Sequence, residues 1–436
     1  MAFGCHIGSF TKSTTTSGFP FNQDITDAAI TDTPKLVILW TTPTTGDAAY
    51  EGDTNNTGFS IGFATAASAG KMHSVGMFED DAAGTSDTYR WLVNNSSTAW
   101  MRNYNAAGTL QWEFHLNSFL SNGFRITYNA TNNNIAYVIN YLVMWGSDIT
   151  VNSGSYTATA GPDNVAHGLG ATPNFVMFLS GVGSSDNQAQ AHGGFMVGMA
   201  SSTSASNQAS IAIASEDGRV NMDTWRYMPA STAIGITDPA TGAINAVGTI
   251  TGMDSTNFTV TWSDTPSAGA ALIQWLAISG GSHNIHTMAA PAATGNQSKT
   301  GLSFQPVGLF AFSRGATAST TSDAHAMISA GAAKSSSLHR AATYASEDNT
   351  ADCEALVRST GSYIVEISPT DVNATAASTG APTMQVEIVT MNSDGYTWNY
   401  DATITNAVIA VWAFAGTPVA APLPNTSSLA LLGAGT

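Results

Sequence analysis

Hydrophobic residues along this chain occur in short runs, rich in β-branched and aromatic side chains, that are separated by clusters of Gly, Asn, Asp and Ser. The 3.6-residue periodicity of amphipathic helices is nearly absent. In the segment SNGFRITY, Phe124, Ile126 and Tyr128 occupy alternate positions, which places them on one face of a strand. The preceding Asn122-Gly123 step favours the positive φ angles of a tight hairpin turn. The pattern predicts an all-β protein built as a sandwich or barrel.

The predicted strands fall into a repeat that occurs three times. A proline followed by an apolar run is found at Pro34, Pro173 and Pro306, at intervals of 139 and 133 residues. Four further markers recur in the same order: a small-residue strand, an acidic pair, a turn with an aromatic strand, and a closing apolar strand. The order is constant, so internal duplication explains the spacing.

The repeat predicts three tandem homologous β-sandwich modules, jelly-roll-like, of about 135 residues each. Their boundaries are predicted at residues 1–147, 148–281 and 282–417. Residues 418–436 follow as a Pro- and Ala-rich C-terminal arm, which is expected to dock onto a neighbouring subunit. Because the linkers are short, the modules are expected to pack end to end or around a shared axis.

The closing strands INYLVMWG, LIQWLAISGG and AVIAVWAFAG are apolar on both faces, which is typical of central strands. Each contains one tryptophan: Trp145, Trp275 and Trp412. We take these as equivalent positions and expect core packing rather than ligand contact.

Composition and charge restrict the partners. The chain of 436 residues has 10% charged residues and a formal net charge of −17, so a polyanion such as nucleic acid would be repelled. Cys5 and Cys353 are far apart in the sequence and are expected to be unpaired, with neither a disulfide framework nor metal-ligand spacing. The sequence predicts no export signal, no membrane anchor and no cofactor.

Candidate catalytic residues are few. The segment GFSIG places Ser60 in a GxSxG pattern, but the second copy reads GFMVG, so a strand residue is the favoured interpretation over a nucleophile. His283 and His286 form the closest histidine pair, and solvated loop residues are favoured over metal ligands. The sequence therefore predicts a protein that is not an enzyme.

The acidic pair is the polar feature that all three copies share. Adjacent carboxylates after a strand could bind a hard cation such as Ca²⁺, although a calcium loop normally gathers more oxygen ligands. Termination and solvation of the strand end is the favoured interpretation, so no metal site is predicted. The weak candidates are Glu79, Asp80, Glu216, Asp217, Glu347 and Asp348.

Taken together, the motifs PKLVILW, GFSIGFATA, NGFRITY and YLVMWG of the first copy, and their counterparts in the other two, resemble a known kind of repeat. They are similar to uncharacterised repeat modules of tail and other virion structural proteins of tailed bacteriophages. The resemblance covers nearly all of residues 1–417, and its motifs are core and turn positions. It implies a location in the virion, at its outer surface or tail, without implying a site.

The main hypothesis is a phage virion structural protein of the tail, baseplate or fibre, which acts by assembly with copies of itself and with other virion proteins. A head decoration protein is the closest variant. A glycan-binding adhesin for host attachment is the alternative, and exposure of several loop aromatics in one cleft would favour it. These aromatics are Tyr50, Trp91, Trp100, Trp112 and Trp225. A polysaccharide-degrading enzyme is the least favoured alternative.

Overall fold

The computed structural model of the chain describes residues 3–45, 51–52, 57–80, 85–105, 107–181, 183, 187–229, 231–266, 271–349, 353–359, 361, 363–367 and 382–417. These residues form 33 strands and a single 3-10 turn, Ala205–Asn207, so the all-β prediction is confirmed. The arm at residues 418–436 and Tyr50 lie outside the described residues. In the described part of the chain, no helix has the length and apolar character needed to cross a membrane.

The first third of the chain contributes eleven strands, which form most of two antiparallel sheets. The strands are β1 (Gly4–Thr11), β2 (Phe21–Thr26), β3 (Leu36–Thr41), β4 (Glu51–Gly52), β5 (Thr57–Ala64), β6 (Met72–Asp80), β7 (Asp87–Val93), β8 (Met101–Tyr104), β9 (Leu110–Leu120), β10 (Gly123–Tyr128) and β11 (Val138–Trp145).

The second third contributes eleven more strands. These are β12 (Thr150–Thr157), β13 (Asp163–Ala166), β14 (Phe175–Ser180), β15 (Gln190–Ala191), β16 (Gly193–Ala200), β17 (Gln208–Ser215), β18 (Thr224–Tyr227), β19 (Ile234–Thr237), β20 (Ile244–Met253), β21 (Asn257–Asp264) and β22 (Leu272–Ser279).

The last third completes the set with another eleven. These are β23 (Ser282–Ala289), β24 (Gly295–Lys299), β25 (Gly308–Ser313), β26 (Asp323–Ala324), β27 (Ala326–Ser335), β28 (Leu338–Ser346), β29 (Cys353–Arg358), β30 (Val365–Ile367), β31 (Met384–Asn392), β32 (Gly395–Ala402) and β33 (Val408–Ala415).

Each third of the chain builds one sandwich of a large sheet and a four-stranded sheet. The large sheet of sandwich 1 has the order β1-β11-β3-β5-β6-β7-β15, and its small sheet has the order β2-β10-β9-β8. Adding eleven to every strand number gives the two sheets of sandwich 2, and adding eleven again gives those of sandwich 3, except that the seventh strand of its large sheet is β4. Strand β12 begins at Thr150, two residues after the predicted start of the second module, and β23 begins at Ser282, the predicted start of the third.

The seventh strand of each large sheet comes from another sandwich. The short strand β15 of sandwich 2 pairs with β7 of sandwich 1, and β26 of sandwich 3 pairs with β18 of sandwich 2. The cycle closes when β4 of sandwich 1 pairs with β29 of sandwich 3. Each sandwich therefore receives one strand and donates one, which covers one edge of every large sheet.

Two kinds of hydrophobic core hold this ring together. Inside each sandwich, side chains of the large sheet pack against those of the small sheet, as in the cluster that contains Val37, Phe114 and Tyr141. The opposite faces of the three large sheets pack against one another in a shared core. There the rings of Phe175 and Trp412 stack at a centroid distance of 3.8 Å, across the contact between sandwiches 2 and 3.

The shared core explains the apolar closing strands, because each large sheet is buried on both faces. The three tryptophans are buried as predicted, but their equivalence is wrong. Trp145, Trp275 and Trp412 are the eighth, fourth and fifth residues of eight-residue strands. Trp145 and Trp275 face their own sandwich cores, whereas Trp412 faces the shared core. Alternation along a strand places odd and even positions on opposite faces. Because both faces of these strands are apolar, the sequence does not show on which face each tryptophan lies.

A β-bulge in each small sheet frees one backbone N–H, and a side chain of the large sheet accepts it. Met72 Sδ accepts from Leu116 N at 3.3 Å in sandwich 1. The acceptor in sandwich 2 is Gln208 Oε1, 2.8 Å from Ile250 N. In sandwich 3 the acceptor is His339 Nε2, 2.9 Å from Ile388 N. Three different side chains thus satisfy the same buried donor.

Candidate functional site

The contact between sandwiches 1 and 2, interface 1–2, centres on Thr88, which follows the first residue of β7. The Thr88 hydroxyl accepts from Gly193 N at 3.2 Å and donates to Ser215 O at 3.3 Å. Its backbone N–H donates to Asp217 Oδ1 at 2.9 Å. Asp217 N in turn donates to Nδ1 of His192 at 3.0 Å. One threonine therefore binds both strands of a hairpin in the next sandwich.

The contact between sandwiches 2 and 3, interface 2–3, repeats this arrangement. Thr224 accepts from Ala326 N at 3.1 Å and donates to Ser346 O at 3.2 Å. Its N–H donates to Asp348 Oδ1 at 3.0 Å, and Asp348 N donates to Nδ1 of His325 at 3.0 Å. Burial raises the pKa of Asp348, while the Thr224 N–H opposes that shift.

A histidine with left-handed backbone stands at the same place in both interfaces. His192 has φ 63° and His325 has φ 71°, values that L side chains adopt rarely. This backbone directs each Nδ1 towards the Asp N–H, so a local hydrogen bond stabilises the unusual conformation.

An arginine then holds each donated strand. Arg90 donates to the carbonyl oxygen of Ala191, to that of His192 at 2.8 Å, and to Gln190 Oε1 at 3.1 Å. Arg226, at the equivalent position of β18, donates to Arg314 O at 2.9 Å, and Arg314 forms the ion pair with Asp323 of β26 at 2.7 Å. Burial lowers the pKa of Arg90 to about 10, which leaves the guanidinium charged at neutral pH.

The five repeat markers do not include the sequence signal for these interfaces. Residues 87–91 read DTYRW and residues 223–227 read DTWRY, so Asp, Thr, an aromatic residue and Arg recur in the same order. The segment resembles an ordinary half-buried strand, and alternation alone assigns its side chains to one sandwich. Comparison of the first two copies alone would have revealed it.

Interface 3–1 differs from the other two. The positions equivalent to Thr88 and Arg90 are occupied by Cys353 and Ala355, as the pairing of β4 with β29 shows. Other groups connect these sandwiches: Lys334 Nζ donates to Cys5 O at 2.9 Å, and Asn140 Nδ2 donates to Ala341 O at 2.9 Å.

Glu79 connects all three sandwiches. It is fully buried at the end of β6, and its carboxylate accepts hydrogen bonds from the hydroxyls of Ser215 in sandwich 2 and Tyr344 in sandwich 3. Burial and the adjacent carboxylate raise the pKa of Tyr344 well above its ordinary value, so this phenol remains a donor. A buried carboxylate needs such donors to offset its desolvation.

The alignment of the acidic pairs needs a correction of one residue. Thr57 pairs with Glu79, Gly193 with Ser215, and Ala326 with Ser346, so Glu79 is equivalent to two serines. Asp80 is therefore the counterpart of Glu216 and Glu347. The sequence places acidic residues together in each copy without fixing the register of the strand that carries them.

The predicted weak cation ligands are distributed among separate contacts. Asp217 and Asp348 accept backbone N–H groups across interfaces, and Glu216 forms an ion pair with Arg219 at 2.6 Å. Asp80 and Glu347 are buried at strand ends. Among the described residues, no three His, Cys, Asp or Glu side chains form a group that could hold a metal ion.

The remaining predicted candidates lie in strands. Ser60 is buried in β5, and its hydroxyl lies 3.4 Å from Arg102 O, in agreement with a strand residue. The expectation of solvated loop histidines is wrong, because His283 and His286 lie in β23. His283 Nδ1 accepts from Trp412 Nε1 at 3.1 Å, and burial lowers its pKa to about 4. His286 is 6% exposed and lies 2.8 Å from the Tyr396 hydroxyl.

The aromatic residues considered for glycan contact do not line one open surface. Trp91, Trp100 and Trp112 are buried, with exposures of 1%, 0% and 1%. Trp225 is half-buried and packs over Gly242. Both cysteines are buried and free of disulfide bonds, as predicted.

The chain matches no protein-family model, no curated protein and no solved structure.

Proposed function

We propose that this protein is a structural component of a tailed-bacteriophage particle, in which one chain supplies a rigid ring of three sandwiches and acts by assembly rather than catalysis. The observation that carries the proposal is the closed exchange of strands, in which each sandwich completes the large sheet of a neighbour. The sequence resemblance to virion repeat modules gives this ring its expected setting.

The contacts between sandwiches make the ring resistant to deformation. The strand exchange ties the sandwiches by backbone hydrogen bonds, and the shared core buries the inner face of every large sheet. Relative motion of two sandwiches would break both kinds of contact together. Relative domain motion is the default within a chain unless the interface is hydrophobic and extensive, and here the contact is both apolar and hydrogen-bonded.

The ring also suggests how the chain fits a symmetric particle. Three similar sandwiches in cyclic order present three similar outer faces, as a homotrimer would, although their sequences have diverged. One copy of the chain would then occupy a threefold position, and contacts between copies would join complete rings. The low content of charged residues suits close packing against other proteins.

The test is electron cryomicroscopy and quantitative mass spectrometry of density-gradient-purified particles from a culture that produces the protein. We expect the protein to sediment with the particles at a fixed copy number and to form ordered density. Recovery in the unsedimented fraction, with particles that lack the protein, would overturn the proposal.

A further inference from the structure

A cleft of about 620 Å³ lies in sandwich 2, between the edge strands β12 and β13. These strands are the neighbouring edges of the large and small sheets, so the cleft is the open side of the sandwich. Gly70 and Lys71 of sandwich 1 form part of its wall. The volume falls in the range of small-molecule sites, which is about 300 to 1,000 Å³.

The edge strand of sandwich 2 has a glycine beside the cleft, where sandwich 3 carries a bulky side chain. Gly154 stands in β12 where sandwich 3 has His286, whose ring is buried. In sandwich 1 the equivalent residue is Gly8, which lies against the ring of Tyr141 as Gly154 lies against that of Trp275. A Cβ at Gly154 would lie 2.6 Å from the indole of Trp275, so glycine is required there.

The charged groups of the cleft are already paired. The ammonium of Lys71 donates to Asn152 Oδ1 at 2.5 Å and to Ser153 O at 2.7 Å. The carboxylate of Asp163 accepts from Trp262 Nε1 at 2.8 Å. One positive and one negative group, both engaged, leave no net charge for an ionic ligand to match.

The cleft also contains polar groups that lack hydrogen-bond partners. Within the described residues, Nε1 of Trp275 and the hydroxyl of Tyr156 are buried and form no hydrogen bond. Both residues line the cleft. Burial raises the pKa of Tyr156 well above its ordinary value, so its hydroxyl stays protonated and can donate. Unpaired buried donors are costly, and a ligand hydroxyl could accept from them.

We propose that this cleft binds a neutral saccharide of a few sugar rings, with Tyr156 and Trp275 at its base and Asn152 and Asn164 along its rim. Amide and hydroxyl groups match the donors and acceptors of sugar hydroxyls, and aromatic carbon surface matches the C–H faces of a sugar ring. Hydrogen bonds of Asn152 to His167 O and of Asp163 to Trp262 fix the wall of the cleft before binding, and Trp275 Nε1 and the Tyr156 hydroxyl are the unpaired groups that remain for the ligand. This activity goes beyond the structural function proposed above.

The test is a titration of the full-length protein with a panel of neutral mono- to tetrasaccharides of glucose, galactose, mannose, rhamnose and N-acetylglucosamine. Saturation-transfer NMR detects binding, and calorimetry measures Kd. We expect one member to bind, and Tyr156→Phe to weaken it about tenfold through loss of one hydrogen bond. Thr251→Ala, on the outer face of the same sandwich, should leave Kd unchanged.

A second measurement tests the site in the unmodified chain, in case Tyr156→Phe does not fold or does not change Kd. The indole N–H resonance of Trp275, assigned by comparison with Trp275→Phe, should shift when the saccharide binds to the unmodified chain. Absence of binding to every saccharide would overturn the proposal. So would binding that leaves the Trp275 resonance in place and is unaffected by Tyr156→Phe. Binding of acidic saccharides or extended peptides in place of neutral saccharides would overturn it as well.

Discussion

Interfaces 1–2 and 2–3 use the same atoms, whereas interface 3–1 uses different ones. The first two place Thr and Arg at equivalent positions of β7 and β18, and their corresponding hydrogen bonds agree within about 0.1 Å. At interface 3–1 these positions are Cys353 and Ala355, and the backbone pairing of β4 with β29 remains.

The difference between interface 3–1 and the other two corresponds to the order of the sandwiches along the chain. Short linkers join sandwich 1 to 2 and sandwich 2 to 3, but interface 3–1 brings the two ends of the described chain together. Phe3 packs against Gly416, and Thr417 N lies 3.2 Å from Asp148 Oδ2. Ring closure therefore depends on side chains specific to sandwiches 1 and 3, above all Glu79 with Tyr344. Duplication preserved the strand exchange, and divergence changed the groups that secure it.

The largest expected effect on stability comes from Glu79, whose carboxylate contacts both sandwich 2 and sandwich 3. Glu79→Leu leaves the buried hydroxyls of Ser215 and Tyr344 without their acceptor and should lower the free energy of unfolding by about 3 kcal/mol. Urea denaturation followed by tryptophan fluorescence measures this value. Ser215→Ala, which removes one donor, is the control and should cost about 1 kcal/mol. Equal losses for the two variants would show that Glu79 does not hold the ring.

Removal of the interface threonines tests whether interfaces 1–2 and 2–3 are equivalent. Thr88→Val and Thr224→Val keep the shape of the side chain but leave Gly193 N and Ala326 N without an acceptor. Each should lower the free energy of unfolding by about 2 kcal/mol. The matched change at interface 3–1, Cys353→Ala, should cost about 1 kcal/mol through lost packing. Urea denaturation of the three variants distinguishes them. A larger loss at position 353 than at 88 or 224 would contradict the comparison.

Acid should weaken sandwich 3, because its bulge acceptor is a histidine. Burial lowers the pKa of His339 to about 4, below the ordinary 6.5. The unfolded chain then binds more protons than the folded one between these values. Stability is therefore complete above pH 6.5 and declines as the pH falls towards 4, by about 2 kcal/mol at pH 5.

The matched variant is His339→Gln, which introduces the acceptor that sandwich 2 uses at Gln208. It should remove this part of the pH dependence while it preserves stability at pH 7. Thermal unfolding from pH 7 to pH 4 provides the measurement. An unchanged pH profile in the variant would show that other buried histidines, such as His73, dominate.

The smallest effect separates interface arginines from surface arginines. Arg90→Met removes three hydrogen bonds to the donated strand and should cost about 1 to 2 kcal/mol. Arg125→Met breaks an exposed ion pair with Asp24 and should cost less than the Arg90 change, because solvent screens an exposed pair. Raising the ionic strength should reduce only the second difference. Equal costs in denaturation measurements would place Arg90 among ordinary surface residues.

The amino-acid sequence was sufficient to predict the strand content, because alternation and turn residues such as Asn122-Gly123 are local signals. It also determined that the closing strands are central and that Ser60 is a strand residue, since apolar runs on both faces require burial on both sides. The burial of Trp145, Trp275 and Trp412 followed from the same composition.

The core that each tryptophan enters became known from the folded structure, because one-residue shifts in register reverse the faces of a strand without changing its composition. The folded structure also showed that Glu79 is equivalent to serines, and that two-residue strands complete the sheets of neighbouring sandwiches. Such short strands carry too few residues for a periodic signal, and their partners lie some 100 residues or more away in the chain. Pairing at that distance is fixed by the packing of whole sandwiches, which no local pattern of residues encodes.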